Sequence, residues 1–156
     1  MGAGRRGAAD FVVGDILLIP DPPKANYYAA IAKGNDVLFY DFCSKPDERL
    51  DPQSADFFLR LGVSVPSMRR GSWKRIGHLQ PAGRMAEYGR YIIQPVGSPP
   101  QVYENENAVT LPATSEDESI LEILAVWDAQ FHVLPVLRYH FFREETPFRA
   151  MIKALI

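Results

Sequence analysis

The chain contains 156 residues, of which 47% are apolar and 23% are charged, as is usual for a single globular domain. A chain of this length can bury a stable core without a metal ion. Cys43 is the only cysteine, which excludes an internal disulfide and fits a reducing compartment. No apolar run reaches the roughly 18 residues that cross a membrane. We therefore expect a cytoplasmic protein with a flexible N-terminus over residues 1–10 and one domain over residues 11–156.

Charge is unevenly distributed along the chain, although the formal net charge is only −2. Residues 1–95 contain 13 Lys and Arg against 10 Asp and Glu, whereas residues 96–156 contain 4 against 9. Between Glu104 and Asp128 there are seven acidic residues and no Lys or Arg. A segment of this kind repels nucleic-acid phosphates and attracts basic partners. The simpler interpretation, a solvated acidic face, stays open.

Short apolar segments separated by turns predict β-strands in the first half of the chain. The first is residues 11–19, which end at a proline-rich breaker. Residues 27–32 and 37–42 predict a β-hairpin, because Gly34 or Asn35 in the short loop that joins them can adopt positive φ. A further strand is predicted over residues 57–65, with alternate side chains on one face (Phe57, Leu59, Leu61 and Val63). Shorter candidates are residues 73–76, 91–95 and 102–103.

The pattern becomes helical after residue 110. Ser115 and Glu118 have the spacing of a capping box, and early acidic residues suit the positive end of a helix dipole. Apolar residues then recur at helical spacing and predict a single buried stripe (Ile120, Leu121, Leu124 and Trp127). Asp128 is predicted to cap a second helix to about residue 142, with Pro135 in its first turn or at a kink. Pro147 is predicted to begin a last helix through residue 156.

Strands followed by helices predict an α+β domain. We expect a strongly bent, barrel-like antiparallel sheet in the N-terminal two-thirds, packed against two or three C-terminal helices. Trp73 and Trp127 are expected in its core rather than at an interface. Cys43 is expected to act as a small hydrophobic residue at the end of a buried strand rather than as a nucleophile.

The sequence contains no strong catalytic or metal-binding pattern. Its three histidines, His78, His132 and His140, have no paired helical spacing and no accompanying Cys-x-x-Cys motif. His132 and His140 lie among large apolar residues, where a hydrogen-bonded structural histidine is more common than a metal ligand. A Gly-x-Ser-x-Gly elbow is also missing from the sequence. We therefore expect a protein that is not an enzyme and that uses no cofactor or metal.

A basic run around Trp73 provides the main alternative to a protein-binding role. Arg69, Arg70, Lys74 and Arg75 surround this aromatic side chain, as in a nucleic-acid patch with a base-stacking residue. The alternative function is therefore a small-ligand or nucleic-acid binding module that uses residues 69–75. A turn that enters a strand, with the tryptophan in the core, explains the same residues. The overall acidity of the chain favours that structural explanation.

Four motifs occur in order along the chain. They are VGDILLIP at residues 13–20 with LFYD at 38–41, GSWKRIG at 71–77, LEILAVWD at 121–128 and LRYHF at 137–141. Together they resemble the immunity protein 26 family of bacterial polymorphic toxin systems. The resemblance extends from about residue 12 to residue 142 and is loose over residues 82–107.

The resemblance implies a role rather than a chemistry. Immunity proteins bind the toxin domain encoded beside them, and many cover its active site or the surface it needs for its substrate. It therefore implies a cognate toxin domain as partner, with no nucleic acid and no membrane expected, and it leaves the oligomeric state open. From charge alone, we predict that the acidic stretch forms the contact surface. The candidate partner-binding residues are Glu104, Glu106, Glu116, Asp117, Glu118 and Glu122.

Overall fold

The computed structural model describes residues 11–104 and 109–156, so the predicted flexible N-terminus and Glu106 lie outside the described residues. The described chain has α+β architecture, which confirms the predicted class. Its strands are β1 (Asp15–Asp21), β2 (Ala25–Ile31), β3 (Val37–Ser44), β4 (Phe57–Val63), β5 (Lys74–His78), β6 (Arg90–Ile93), β7 (Gln101–Glu104), β8 (Val109–Pro112) and β9 (Val126–Trp127). Its α-helices are α1 (Val65–Arg70), α2 (Ser115–Ile120) and α3 (Leu134–Phe142).

The strands form two open sheets rather than a barrel. Six strands lie in the order β5-β1-β2-β3-β4-β9, and the other three lie in the order β6-β7-β8. Pairing is antiparallel except between β4 and β9, so the larger sheet is mixed. No sheet is closed or strongly curled, and the prediction of a barrel-like antiparallel sheet is therefore not supported. Closure would require β5 to pair with β9, and β9 has only two residues.

The centre of the larger sheet is buried on both faces. Every residue of β2 is buried, because α3 and the C-terminal turns cover one face and long loops cover the other. Leu17 and Phe39 face the helix side, while Leu18 and Tyr40 face the loop side. Alternate side chains along each strand thus enter two separate apolar clusters. Both predicted core tryptophans are buried in the cluster on the helix side.

The predicted hairpin forms between β2 and β3, and its turn has the expected backbone. Gly34 has φ 84° and Asn35 has φ 64°. The predicted single face of β4 is wrong at one position. A register shift opposite Phe39 and Tyr40 moves Phe57 to the loop side, while Leu59 stays on the helix side.

The predicted second helix begins at Asp128. Its carboxylate accepts hydrogen bonds from the backbone N–H groups of Gln130 (2.9 Å) and Phe131 (2.7 Å). One π-helical turn, Ala129–Val133, leads into α3, and Pro135 lies in the first turn of α3 as predicted. The C-terminal segment forms two short 3₁₀ turns instead of one helix. No helix among the described residues is long and apolar enough to cross a bilayer.

An ion pair between partly exposed Arg138 and buried Asp21 attaches α3 to the larger sheet. Arg138 donates from Nε and Nη2 to the two carboxylate oxygens of Asp21, at 2.9 and 2.6 Å. The Tyr27 hydroxyl donates to the same carboxylate at 2.8 Å. Burial alone would raise the pKa of Asp21, but these hydrogen bonds and the Arg138 charge outweigh it and lower the pKa. The charged carboxylate therefore stabilises this junction.

The predicted helix after residue 114 is much shorter than its apolar pattern indicates. Thr114, not Ser115, is the N-cap, and Asp117 completes the capping box by accepting from the Thr114 N–H at 2.9 Å. The helix ends at Ile120, and residues 121–127, which we call the connector, run between the two sheets. Pairing with the sheets thus replaces the predicted helical continuation.

Candidate functional site

Two of the candidate acidic residues are engaged with Arg90 in β6. The Arg90 guanidinium lies 3.4 Å from Oε1 of Glu104 and 3.8 Å from Oδ1 of Asp117. Hydrogen bonds from Thr114 to Asp117, together with the Arg90 charge, lower the pKa of Asp117. Asp117 therefore links α2 to the three-stranded sheet, whereas Glu104 of β7 pairs with Arg90 within that sheet.

Glu122 anchors the C-terminal turn. Its carboxylate accepts hydrogen bonds from the backbone N–H groups of Lys153 (2.6 Å) and Ala154 (2.8 Å). Burial raises the pKa of the Glu122 carboxyl, and the two hydrogen bonds oppose that rise without cancelling it. The Glu122 carboxylate thus makes its hydrogen bonds within the chain.

Glu116 and Glu118 are the candidate acidic residues that remain outward-facing. Both are exposed on α2. Over the described residues, neither carboxylate takes part in a salt bridge or accepts a hydrogen bond. Among the described candidate acidic residues, the carboxylates without a partner therefore lie on the helix that immediately precedes the connector.

Exposed apolar side chains follow these carboxylates in the sequence. We call them the apolar band, and their exposed fractions are 60% for Ile120, 47% for Ile123, 42% for Leu124 and 75% for Val126. The next residue, Trp127, is only 5% exposed and belongs to the core. Successive side chains of an extended backbone point to opposite sides, so burial of Trp127 turns Val126 outward.

The backbone of the connector is held by hydrogen bonds to both sheets. The Ile92 N–H in β6 donates to the Glu122 carbonyl at 2.8 Å, and the Leu124 N–H donates back to the Ile92 carbonyl at 2.9 Å. Val126 then pairs in parallel with Gly62 of β4. The connector therefore displays three residues of the apolar band, Ile123, Leu124 and Val126, from a backbone held by hydrogen bonds.

The apolar band is not evident from the sequence, because Ile120, Leu124 and Trp127 fit a helical stripe. The β-branched residues Ile120, Ile123 and Val126 weaken that helical interpretation. The strands that pair with the connector, however, are distant in sequence and leave no local pattern. The exposed face could therefore be found only from the structure.

A cleft of about 490 Å³ lies beside the apolar band, between β4, the loop before β6, the end of α2 and the C-terminal turn. Arg60 in this cleft donates to Asp36 (2.9 Å) and to the backbone carbonyls of Lys33 (3.0 Å), Arg84 (2.9 Å) and Glu87 (2.7 Å). Burial and the charge of Arg60 lower the pKa of Arg84. The Arg60 network thus joins structural segments around the cleft.

Two histidines have the structural surroundings predicted for them. His132 Nδ1 accepts a hydrogen bond from the Asp128 N–H at 2.9 Å. His140 Nε2 lies 2.6 Å from Oδ1 of Asp41, and its ring stacks on Phe58 with centroids 3.7 Å apart. Within residues 11–104 and 109–156, no three His, Cys, Asp or Glu side chains form a group that could hold a metal ion.

The remaining histidine and the cysteine lie on the larger sheet. His78 Nδ1 is 2.9 Å from Oδ1 of buried Asp15, which also accepts the Val12 N–H at 2.9 Å. Cys43 lies in β3 and is half-buried, and burial raises the pKa of its thiol. Because the thiolate is the nucleophilic form, this rise disfavours a reactive thiol.

The basic run is divided between the end of α1 and the start of β5. Arg70 Nη2 lies 3.1 Å from Oδ2 of Asp128, and Arg75 Nη1 lies 3.7 Å from Oδ1 of Asp15. Trp73 between them is buried, so its ring is not available to stack on a base. Trp73 thus has the core position that the simpler explanation predicts, while Arg69, Arg70, Lys74 and Arg75 are exposed.

Comparison of the chain with models of known protein families, with curated protein sequences and with solved structures gave no significant match. The geometry of the chain must therefore indicate what the site can do. The apolar band and its neighbours Glu116 and Glu118 combine exposed apolar surface, a fixed backbone and unengaged charge. Apolar centres with polar rims are typical of surfaces that bind other proteins.

Proposed function

We propose that this chain is an immunity protein that binds and neutralises a cognate toxin domain of a bacterial polymorphic toxin system. In this proposal it acts in the cytoplasm, by binding and without catalysis. The resemblance of its four sequence motifs to the immunity protein 26 family supports the role. The structural observation that carries the proposal is the outward-facing apolar band beside exposed carboxylates, because it suits a protein partner.

Several residues of the four sequence motifs stabilise the fold, as expected if proteins that share these motifs share one architecture. Trp73 and Trp127 are buried in the same apolar cluster. Asp15 is buried and accepts the Val12 N–H, while Asp128 caps the segment that leads to α3. These residues support the architecture and leave the choice of partner to surface positions.

Exposed acidic residues suit the fast association with the toxin that neutralisation requires. A toxin must be captured before it acts, and complementary charge raises association rates more than it raises affinity. Glu116 and Glu118 can supply this attraction to a basic toxin surface, since they are exposed beside the apolar band. The apolar band would then supply the contact that slows dissociation.

Co-expression with the toxin domain encoded immediately upstream of the gene tests the proposal. We expect the wild-type chain to restore growth of a host that produces this toxin and to co-purify with it in a stable complex. An unrelated folded protein of similar size and charge is the control and should leave the host unprotected.

A toxin that kills in the presence of well-folded wild-type chain, with no complex between them, would reject the immunity role. The small-ligand or nucleic-acid binding module would then become the first hypothesis. A filter-binding assay with single-stranded DNA and RNA would examine it directly, using Lys74→Ala as the variant of the basic run.

A further inference from the structure

We propose that the toxin domain docks on the apolar band, with an apolar centre bordered by lysine and arginine side chains that face Glu116 and Glu118. This inference rests on the proposed immunity function and adds its contact surface. It also changes the surface predicted from charge alone, because an apolar centre replaces a uniformly acidic one.

Exposed apolar side chains are concentrated in the apolar band. Large hydrophobic residues are exposed at eleven positions of the described chain, and four of these fall within the seven residues 120–126. Single exposed hydrophobic residues are ordinary, whereas a concentrated group marks an interaction surface. Leu124 and Val126 are two residues apart along the connector, and therefore project on the same side where the backbone is extended.

The backbone beneath the apolar band is already ordered. The connector is hydrogen-bonded to Ile92 on one sheet and paired with Gly62 on the other, and the Ser64 N–H donates to the Trp127 carbonyl at 2.9 Å. A partner that binds such a surface does not have to order a flexible loop. Pre-organisation of this kind lowers the entropic cost of binding and suits tight neutralisation.

Charge determines which protein partner this surface fits. The stretch from Glu104 to Asp128 contains no Lys or Arg. Glu104, Asp117 and Glu122 are engaged within the chain, so Glu116 and Glu118 provide the outward negative charge on α2, while Arg84, Arg90 and Lys153 line the adjoining cleft. A basic rim on the partner satisfies these two carboxylates, whereas an acidic rim would be repelled.

Binding of an inactivated form of the upstream toxin domain to surface variants tests this inference. Leu124→Ser combined with Val126→Ser should weaken the dissociation constant by about 100-fold, since two central apolar contacts are lost. Leu111→Ser combined with Val96→Ser removes exposed apolar side chains elsewhere and should change it by less than about threefold. Both double variants should keep the wild-type circular dichroism spectrum.

The charged rim is tested by association kinetics. Glu116→Lys combined with Glu118→Lys should slow association about tenfold at low salt and reduce its salt dependence. Asp51→Lys combined with Asp56→Lys changes the charge equally at exposed positions away from α2 and should leave the rate nearly unchanged.

The outcomes separate this inference from the function on which it rests. If the wild-type chain protects the host and the Leu124→Ser/Val126→Ser variant binds equally well, the docking surface is wrong and the immunity role stands. If the wild-type chain neither binds nor protects, both proposals fail. Light scattering provides a further test: a wild-type dimer that this variant abolishes would assign the apolar band to a second copy and overturn the toxin as its occupant.

Discussion

Residues 15–44 and residues 115–127 have similar apolar content but opposite burial. Apolar residues are 17 of 30 in the first region and 7 of 13 in the second. In the first region all of them except Phe42 and Cys43 are buried, whereas in the second only Trp127 is buried. The first region occupies the centre of a sheet with both faces covered, and the second runs along its edge. Apolar content therefore shows where burial is possible, and position in the sheet decides whether it occurs.

The largest expected effect is the difference in protein stability between a substitution in the core and one in the apolar band. Phe39→Ala should lower the free energy of unfolding by about 3–5 kcal/mol, because Phe39 is buried and contacts Trp73 edge to face. Val126→Ala should change it by less than about 0.5 kcal/mol, since its side chain is exposed. Urea denaturation of both variants measures the difference. Equal losses of unfolding free energy would contradict the difference in burial between the two positions.

The ion pair between Asp21 of the first region and Arg138 of α3 should give a stability that is lost in acid. Asp21→Asn should cost about 2 kcal/mol at pH 7, less than a fully buried pair, because Arg138 remains partly exposed. The pKa of Asp21 is lowered in the folded state, so its stabilisation is present above the unfolded pKa of about 4 and disappears as pH falls through the folded value. Denaturation curves between pH 7 and pH 2 should therefore converge for wild type and variant. A difference between wild type and variant that is the same at pH 7 and pH 2 would exclude this origin.

The cap of α2 should contribute a smaller amount in the second region. Thr114→Ala should cost about 1 kcal/mol, because Thr114 Oγ1 accepts the Asp117 N–H at 3.1 Å. Ser115→Ala should have almost no effect, although the sequence spacing favours Ser115 as the cap. Thermal unfolding of the two alanine variants distinguishes them, and a larger loss for Ser115→Ala would reverse the assignment.

Glu122 should give the smallest effect, with a pH dependence opposite to that of Asp21. Burial raises the pKa of Glu122 in the folded state above the unfolded value of about 4.3. Ionisation of Glu122 therefore lowers the stability as pH rises from the unfolded pKa through the folded pKa. Glu122→Gln, which resembles the protonated form, should lose less than about 1 kcal/mol and should lose less at pH 7 than at pH 4. Stability measured at both pH values tests the sign, and a greater loss at pH 7 would contradict it.

The strands of the first region could be predicted because local signals agree there. Gly34 and Asn35 define the hairpin turn, and unbroken apolar runs flank it. The α+β class followed from the order of strands and helices. That the larger sheet is open could not be predicted from the sequence. Closure depends on whether β5 and β9 pair, and no local pattern indicates whether two such distant strands meet.

The candidate site was predictable only in part. Charge counting located the acidic stretch, but it could not distinguish Asp117 and Glu122, which are engaged inside the chain, from the exposed Glu116 and Glu118. The apolar band was assigned to a helix core because Leu124 and Trp127 have helical spacing. Pairing of the connector with two distant strands overrode that local preference.

Hydrogen–deuterium exchange of the chain, free and bound to the inactivated toxin domain, tests whether the toxin covers the apolar band. We predict that binding slows exchange in residues 115–127 and leaves β1–β3, already protected in the core, nearly unchanged. Protection confined to residues 69–75, or no protection in a complex that forms, would contradict the account, because the toxin would then bind without covering the apolar band.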